Sequence, residues 1–244
     1  MKQNKSSRST VLLFLLGVAL IVAALIMLVP DLLNYKQSND TYEALKENYI
    51  SEKAENTEVA EETEGDDSWW YTDVDVKLEE LQQVNADIIG WIRFDNLEQL
   101  SYPVLYSGDD EKYLRTDIYG NQTIAGCIFM EGMNTPDFQD YHTILYGHNM
   151  GVNNTDRFSN LQKYRDADYY TAHPYLKLDT LYKSEIYKIV AVYAVTSRES
   201  DGDVFHFNQY IDLDDAAEQT FLDEVAKRAF YTTGDYAYPT ERLL

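Results

Sequence analysis

Four histidines and one cysteine are the groups in this chain best suited to moving a proton or forming a covalent bond near neutral pH. His148 follows Thr143-Ile144-Leu145-Tyr146, an apolar and β-prone run, directly after Gly147. A strand that stops at glycine and gives way to a titratable side chain sets that side chain at a strand end. There it can face a cleft and serve as a general acid or base. Cys127 sits in Gly126-Cys127-Ile128-Phe129, an apolar setting. Reactive thiols need partial exposure and nearby positive charge, so Cys127 reads as a small buried hydrophobe. A Cys127–His148 hydrolase is the weaker alternative.

The remaining candidates suggest packing. His142 begins the run that His148 ends, and on an alternating strand the two would share a face about 20 Å apart, too far to hold one metal. His173 precedes Pro174 and reads as a turn. His206 lies in Phe205-His206-Phe207. Arg93, Arg115, Arg157 and Arg198 read as solvated surface charges. Asp201-Gly202-Asp203 reads as a turn, because the other ligand positions of a calcium loop are not filled. No Cys/His spacing suggests zinc and no glycine-rich loop suggests a nucleotide, so no cofactor is expected.

The elements that must position His148 follow from periodicity. Val76, Leu78, Leu81, Val84 and Ile88 have helical spacing. Residues 90–94, 101–106, 125–130, 142–146, 175–179 and 186–195 read as strands, with 101–106 at a sheet edge because it contains Pro103. Short helices are expected over 109–114 and toward 162, and a turn over 165–172. Residues 214–230 read as a helix with acids at its start and Lys227 and Arg228 at its end. The fold class is mainly β with peripheral helices, in a closed or half-closed barrel.

Ahead of this body the chain changes material. Residues 1–10 carry Lys2, Lys5 and Arg8 and no acid. Val11 to Val29 is apolar throughout, long enough at about 28 Å to cross a bilayer. Basic residues before the span and acids after it put residues 1–10 in the cytoplasm and the body outside the cell. A cleaved signal peptide is the rival reading, but no small-x-small site follows the span. Residues 30–68 are expected to be an acidic stalk, because Asn39 to Ser68 holds eleven acids against Lys46 and Lys53. The folded domain is then 69–244. A net charge of −22 argues against a nucleic-acid partner.

The order Asn85-x-Asp87-x-x-Gly90-Trp91-Ile92, Tyr102-Pro103-Val104, Tyr113-Leu114, Gly126-x-Ile128-Phe129-Met130 and Thr143 to His148 resembles class B sortases. The likeness continues through Asp156-Arg157-Phe158-x-x-Leu161-x-x-Tyr164 and the last helix. The resemblance implies an eight-stranded sortase β-barrel with an added N-terminal helix. It also implies a cysteine transpeptidase that cleaves a sorting signal after threonine and joins the acyl group to a peptidoglycan or pilin amine. His148 matches the family histidine, and His206 and Tyr210 fall where the family borders its substrate groove. The family cysteine lies in a Thr-Leu-x-Thr-Cys motif, with an arginine about ten residues later. This sequence reads Pro239-Thr240-Glu241-Arg242-Leu243-Leu244 at the corresponding point. The expectation is a barrel incomplete in its last two strands and inactive as written. A non-catalytic surface peptide-binding protein is the alternative.

Overall fold

The structure is a computed structural model that describes residues 5–52, 74–94, 100–151, 153–196, 198, 200, 202–233 and 243–244. Its first element, α1 (Lys5–Tyr49), is one helix of 45 residues, about 68 Å long. Its apolar segment is exposed among the described residues, with Phe14 70% and Met27 76% exposed. It is long and apolar enough to cross a membrane. The helix runs on through Pro30.

From Ser38 onward the same helix becomes part of the folded body. Ser38, Tyr42 and Leu45 are buried, and Tyr49 and Ile50 pack on the core. β1 (Ile50–Glu52) then pairs antiparallel with β2 (Val74–Val76). The expected stalk therefore differs over residues 30–52, which are helix and strand, and the body begins well before residue 69. Asp40, Glu43 and Glu47 are exposed. They occupy the outer face of α1, and their charge hid the narrow apolar stripe on the inner one. The rest of the expected stalk, from Lys53, lies outside the described residues.

After α2 (Leu78–Val84) come β3 (Ile88–Phe94), β4 (Ser101–Leu105), β5 (Ile128–Met130) and β6 (Leu145–Tyr146). They are followed by α3 (Ala167–Ala172), β7 (Tyr175–Thr180), β8 (Ser184–Lys188) and α4 (Asp215–Arg228). Six strands form one curled sheet in the order β6-β5-β4-β3-β7-β8. The pairing is antiparallel except between β4 and β5. The sheet wraps around Trp91, Ile92, Val104, Leu105, Ile128 and Leu178, as a half-barrel built on one hydrophobic face requires. β4 is an inner strand rather than an edge. Its pairing to β5 starts only at Val104, so at Pro103 it has a neighbour on one side and the missing N–H costs no ladder bond there.

Two further expectations change. The run 186–195 is strand only to Lys188; beyond it Ala191, Tyr193 and Val195 pack on a second cluster formed by Phe205, Phe221, Leu222 and Val225. Alternation there serves packing against α4, not a ladder. Residues 167–172, expected as a turn, are α3, whose start is capped by the Asp166 side chain accepting from Asp168 N–H. The Asn85-x-Asp87 pair staples the sheet to the Lys112–Leu114 3-10 turn. Asn85 Nδ2 donates to Ile118 O at 2.8 Å, and Asp87 accepts from Tyr113 O–H at 2.6 Å.

Because Leu45 is 3% exposed, Leu45→Ala should cost about 2–5 kcal/mol in chemical denaturation. A cost below about 0.5 kcal/mol would mean that this part of α1 is a solvated spacer.

Candidate active site

β6 pairs with β5, Tyr146 opposite Phe129, and the chain then passes through Gly147 into His148. A Cβ on Gly147 would lie 2.3 Å from Ile128 Cδ1 and 2.7 Å from Phe158 Cδ2, so glycine lets the backbone slip between these two side chains. Phe158 N–H donates to His148 O at 3.1 Å, and Asn149 bridges to Arg157. Residues 148–151 and 153–158 thus belong to an arm closed by backbone bonds at its base.

His148 is partly exposed and lines a cavity of about 360 Å³ with Asp110, Tyr113, Phe129, Glu131, Tyr146 and Asn208. The side chain is therefore where proton transfer to a bound molecule needs it. One end of the cavity is acidic. Tyr146 O–H donates to Glu131, and Asp110 Oδ1 accepts from Gly132 N–H at 2.6 Å. Burial, with the adjacent Asp110 carboxyl, raises the Glu131 pKa. Burial and the bond to Glu131 push the Tyr146 hydroxyl well above its ordinary value.

Cys127 touches the same cavity but is 1% exposed, and its thiol donates to Thr116 O at 3.2 Å. Burial pushes its pKa up to about 12, so the neutral thiol is the form present near pH 7. It is a packing residue, as its sequence setting indicated.

The other candidates separate. His142 is buried, its ring packed on Phe221 at 4.9 Å and its Nδ1 2.5 Å from Tyr210 O. Burial lowers its pKa. The segment around His142 is not a continuous strand to His148, because only Leu145–Tyr146 is ladder; the shared-face argument does not apply. His173 caps α3 and packs on Tyr169 at 4.6 Å. His206 is exposed, and Tyr210 packs among Phe205 and Phe221. Neither lines the His148 cavity. Asn208, between them on a 3-10 turn, does, because successive side chains on such a turn point about 120° apart.

Two of the arginines expected at the surface are mostly or wholly buried. Arg115 and Arg198 are exposed as expected, and Arg242 and Asp201 lie outside the described residues. Arg93 is mostly buried and pairs with Asp179 at 3.2 Å. Arg157 is wholly buried. Its Nε donates to Gly126 O at 2.9 Å and its Nη2 to Ser38 Oγ at 2.8 Å. Its guanidinium lies 4.1 Å from the Tyr42 ring centre. The hint available in the sequence was its place between Asp156 and Phe158, inside the motif that carries the family likeness.

No protein-family model matches the chain. Two curated proteins do. The sortase B of Listeria monocytogenes is 31% identical over 172 residues, covering 69% of this chain and 65% of the relative. The sortase B of Staphylococcus aureus is 30% identical over 156 residues, covering 63% and 59%. The chain thus spans just under two thirds of the length of these relatives. Among solved structures, sortase B from Listeria monocytogenes matches with a TM-score of 0.57 and 28% identity, over 68% of this chain and 89% of that one. Staphylococcus aureus sortase B matches with a TM-score of 0.55 and 28% identity, over 65% and 70%. The fold and the order of its motifs define a sortase-type half-barrel. Within that class, the relatives it is similar to are class B sortases.

Two outcomes follow from the site. Gly147→Ala should displace Phe158 or Ile128 and cost about 1–3 kcal/mol in denaturant unfolding; a neutral substitution would mean that the backbone passage is not tight. For Glu131, the folded state holds the proton more tightly than the unfolded state does. Stability should therefore fall as pH rises from 4.5 through the raised folded value. Glu131→Gln should flatten that limb in thermal unfolding across pH, and an unchanged slope would contradict the burial argument.

Proposed function

We propose that this chain is the anchored body of a class B sortase, a cysteine transpeptidase in which His148 is the proton-transfer group. The anchor reading puts residues 1–10 in the cytoplasm, residues 11–29 across the membrane and the half-barrel outside the cell. The substrates are sorting-signal-bearing surface proteins, and the acceptor is a cell-wall or pilin amine.

The observation that carries the proposal is a pairing beside the His148 segment. Leu243 lies parallel to residues 141–143: its N–H donates to Tyr141 O at 2.8 Å, and its carbonyl accepts from Thr143 N–H at 3.0 Å. A strand continued in that register would come level with His148 about five residues past Leu244. An open cavity of about 760 Å³, lined by Ile186, Ala191, Phe221, Val225, Leu243 and Leu244, lies between β8 and this segment. That is where further strands would close the barrel. Cys127 is sealed in the core, so it is not assigned as the nucleophile of this reaction.

In the proposed reaction the thiolate attacks the carbonyl after threonine, and the C–N bond breaks as His148 protonates the departing amine. A thioacyl enzyme remains. The incoming amine then attacks the same carbonyl, gives its proton to His148 and expels the thiolate. Two easier steps replace one direct amide exchange.

The proposal is tested with a sorting-signal peptide and an amine acceptor. Residues 1–244 alone should give no acyl transfer. The chain extended through a Thr-Leu-x-Thr-Cys strand and its partner should transfer, His148→Ala in that chain should lose about 10²-fold or more, and Cys127→Ala should change nothing. A thioacyl adduct on Cys127, or a fully active His148→Ala chain, would overturn the assignment. Tight peptide binding with no transfer by the extended chain would favour the non-catalytic alternative.

A further inference from the structure

We propose that Arg157 is a positioning residue for His148, and that the anchor helix α1 supplies the half of its cage that fixes it. The inference deepens the reading of His148 above, on which its consequence for chemistry rests.

The cage is built on one face of α1. Tyr35, Ser38, Asn39 and Tyr42 follow at i, i+3, i+4 and i+7, the spacing that aligns side chains along a helix. All four reach the arm of residues 148–151 and 153–158. Tyr35 O–H donates to Asp156 and accepts from Asn154 Nδ2 at 2.7 Å. Asn39 Nδ2 donates to Asp156 Oδ2 at 2.6 Å, while its Oδ1 accepts from Arg157 Nη1 at 3.3 Å. Ser38 Oγ accepts from Arg157 Nη2, and the Tyr42 ring lies against the guanidinium. On the barrel side, Gly126 O accepts from Arg157 Nε–H, and the Tyr102 hydroxyl oxygen accepts from Arg157 backbone N–H at 3.1 Å.

Three features make this more than packing. The guanidinium is fully buried, and its described acceptors are neutral oxygens, so losing one of them costs a buried charge its solvation. Arg157 has a φ of 53°, in the left-handed region that disfavours non-glycine residues, so its backbone stays there only while the surroundings hold it. That strained residue bridges Asn149 and precedes Phe158, whose N–H is bonded to the His148 carbonyl. α1 therefore acts on His148 through Arg157 without touching it. Tyr35 is six residues past Val29, about 9 Å along the helix, so the same helix carries both the apolar span and the cage.

The test is amide hydrogen exchange on the full chain in lipid nanodiscs. Ser38→Ala with Asn39→Ala should raise exchange at Arg157 and Phe158 about tenfold or more, while β3 and β7 amides keep their rates. Ser38→Thr, which retains the hydroxyl, should stay near the parent, and so should Glu47→Gln on the exposed face. Unchanged exchange in the arm would overturn the proposal, and so would a rise shared equally by β3 and β7, which would mean general destabilisation. These readouts need no catalysis, so failure of the His148 assignment would appear separately, in the acyl-transfer assay.

Discussion

A buried guanidinium organises this structure. Arg157 stands where α1, the chain at Gly126 and the arm carrying His148 meet. An unpaired cation in such a place costs several kcal/mol. The fold offsets that cost with oxygens from α1 and β5's approach, and with the faces of Tyr42 and Tyr102. Neither the helix nor the arm can move without leaving donors unsatisfied, so the three elements behave as one unit.

The sheet supplies the complementary constraint. β5 and β6 are only three and two residues long, too short to fix a side chain by ladder bonds alone. Asn134 extends the ladder by imitating a backbone: its Nδ2 donates to His142 O and its Oδ1 accepts from Ile144 N–H, both at 2.9 Å. Gly147 then threads between Ile128 and Phe158. The imidazole reaches the cavity because side-chain amides and steric fit finish what two short strands begin.

Much of this was legible in the chain. The strand–glycine–histidine signal located His148, and the apolar environment of Cys127 identified its thiol as a core group. The apolar span, β3, β7 and α4 followed from periodicity. What was not legible depended on contacts between distant segments. The burial of Arg157 needs Ser38, Asn39 and Tyr42, more than a hundred residues earlier, and the acids alternating with them gave that stretch the composition of a solvated spacer. Pro103 signalled an edge, whereas the structure accommodates it within an inner strand whose second partner starts one residue later. The aromatic run at 205–210 pointed to His206 and Tyr210, yet a single 3-10 turn presents Asn208 instead.

The most direct measurement of the central claim is the exchange rate of the Arg157 Nε–H proton, followed by NMR in the full chain. A guanidinium bonded to Gly126 O and closed over by α1 should hold that proton for much longer than a solvated arginine does, with a nuclear Overhauser contact to the Tyr42 ring. Exchange at the solvated rate, with no such contact, would mean that Arg157 faces water and that α1 and the His148 arm are not joined.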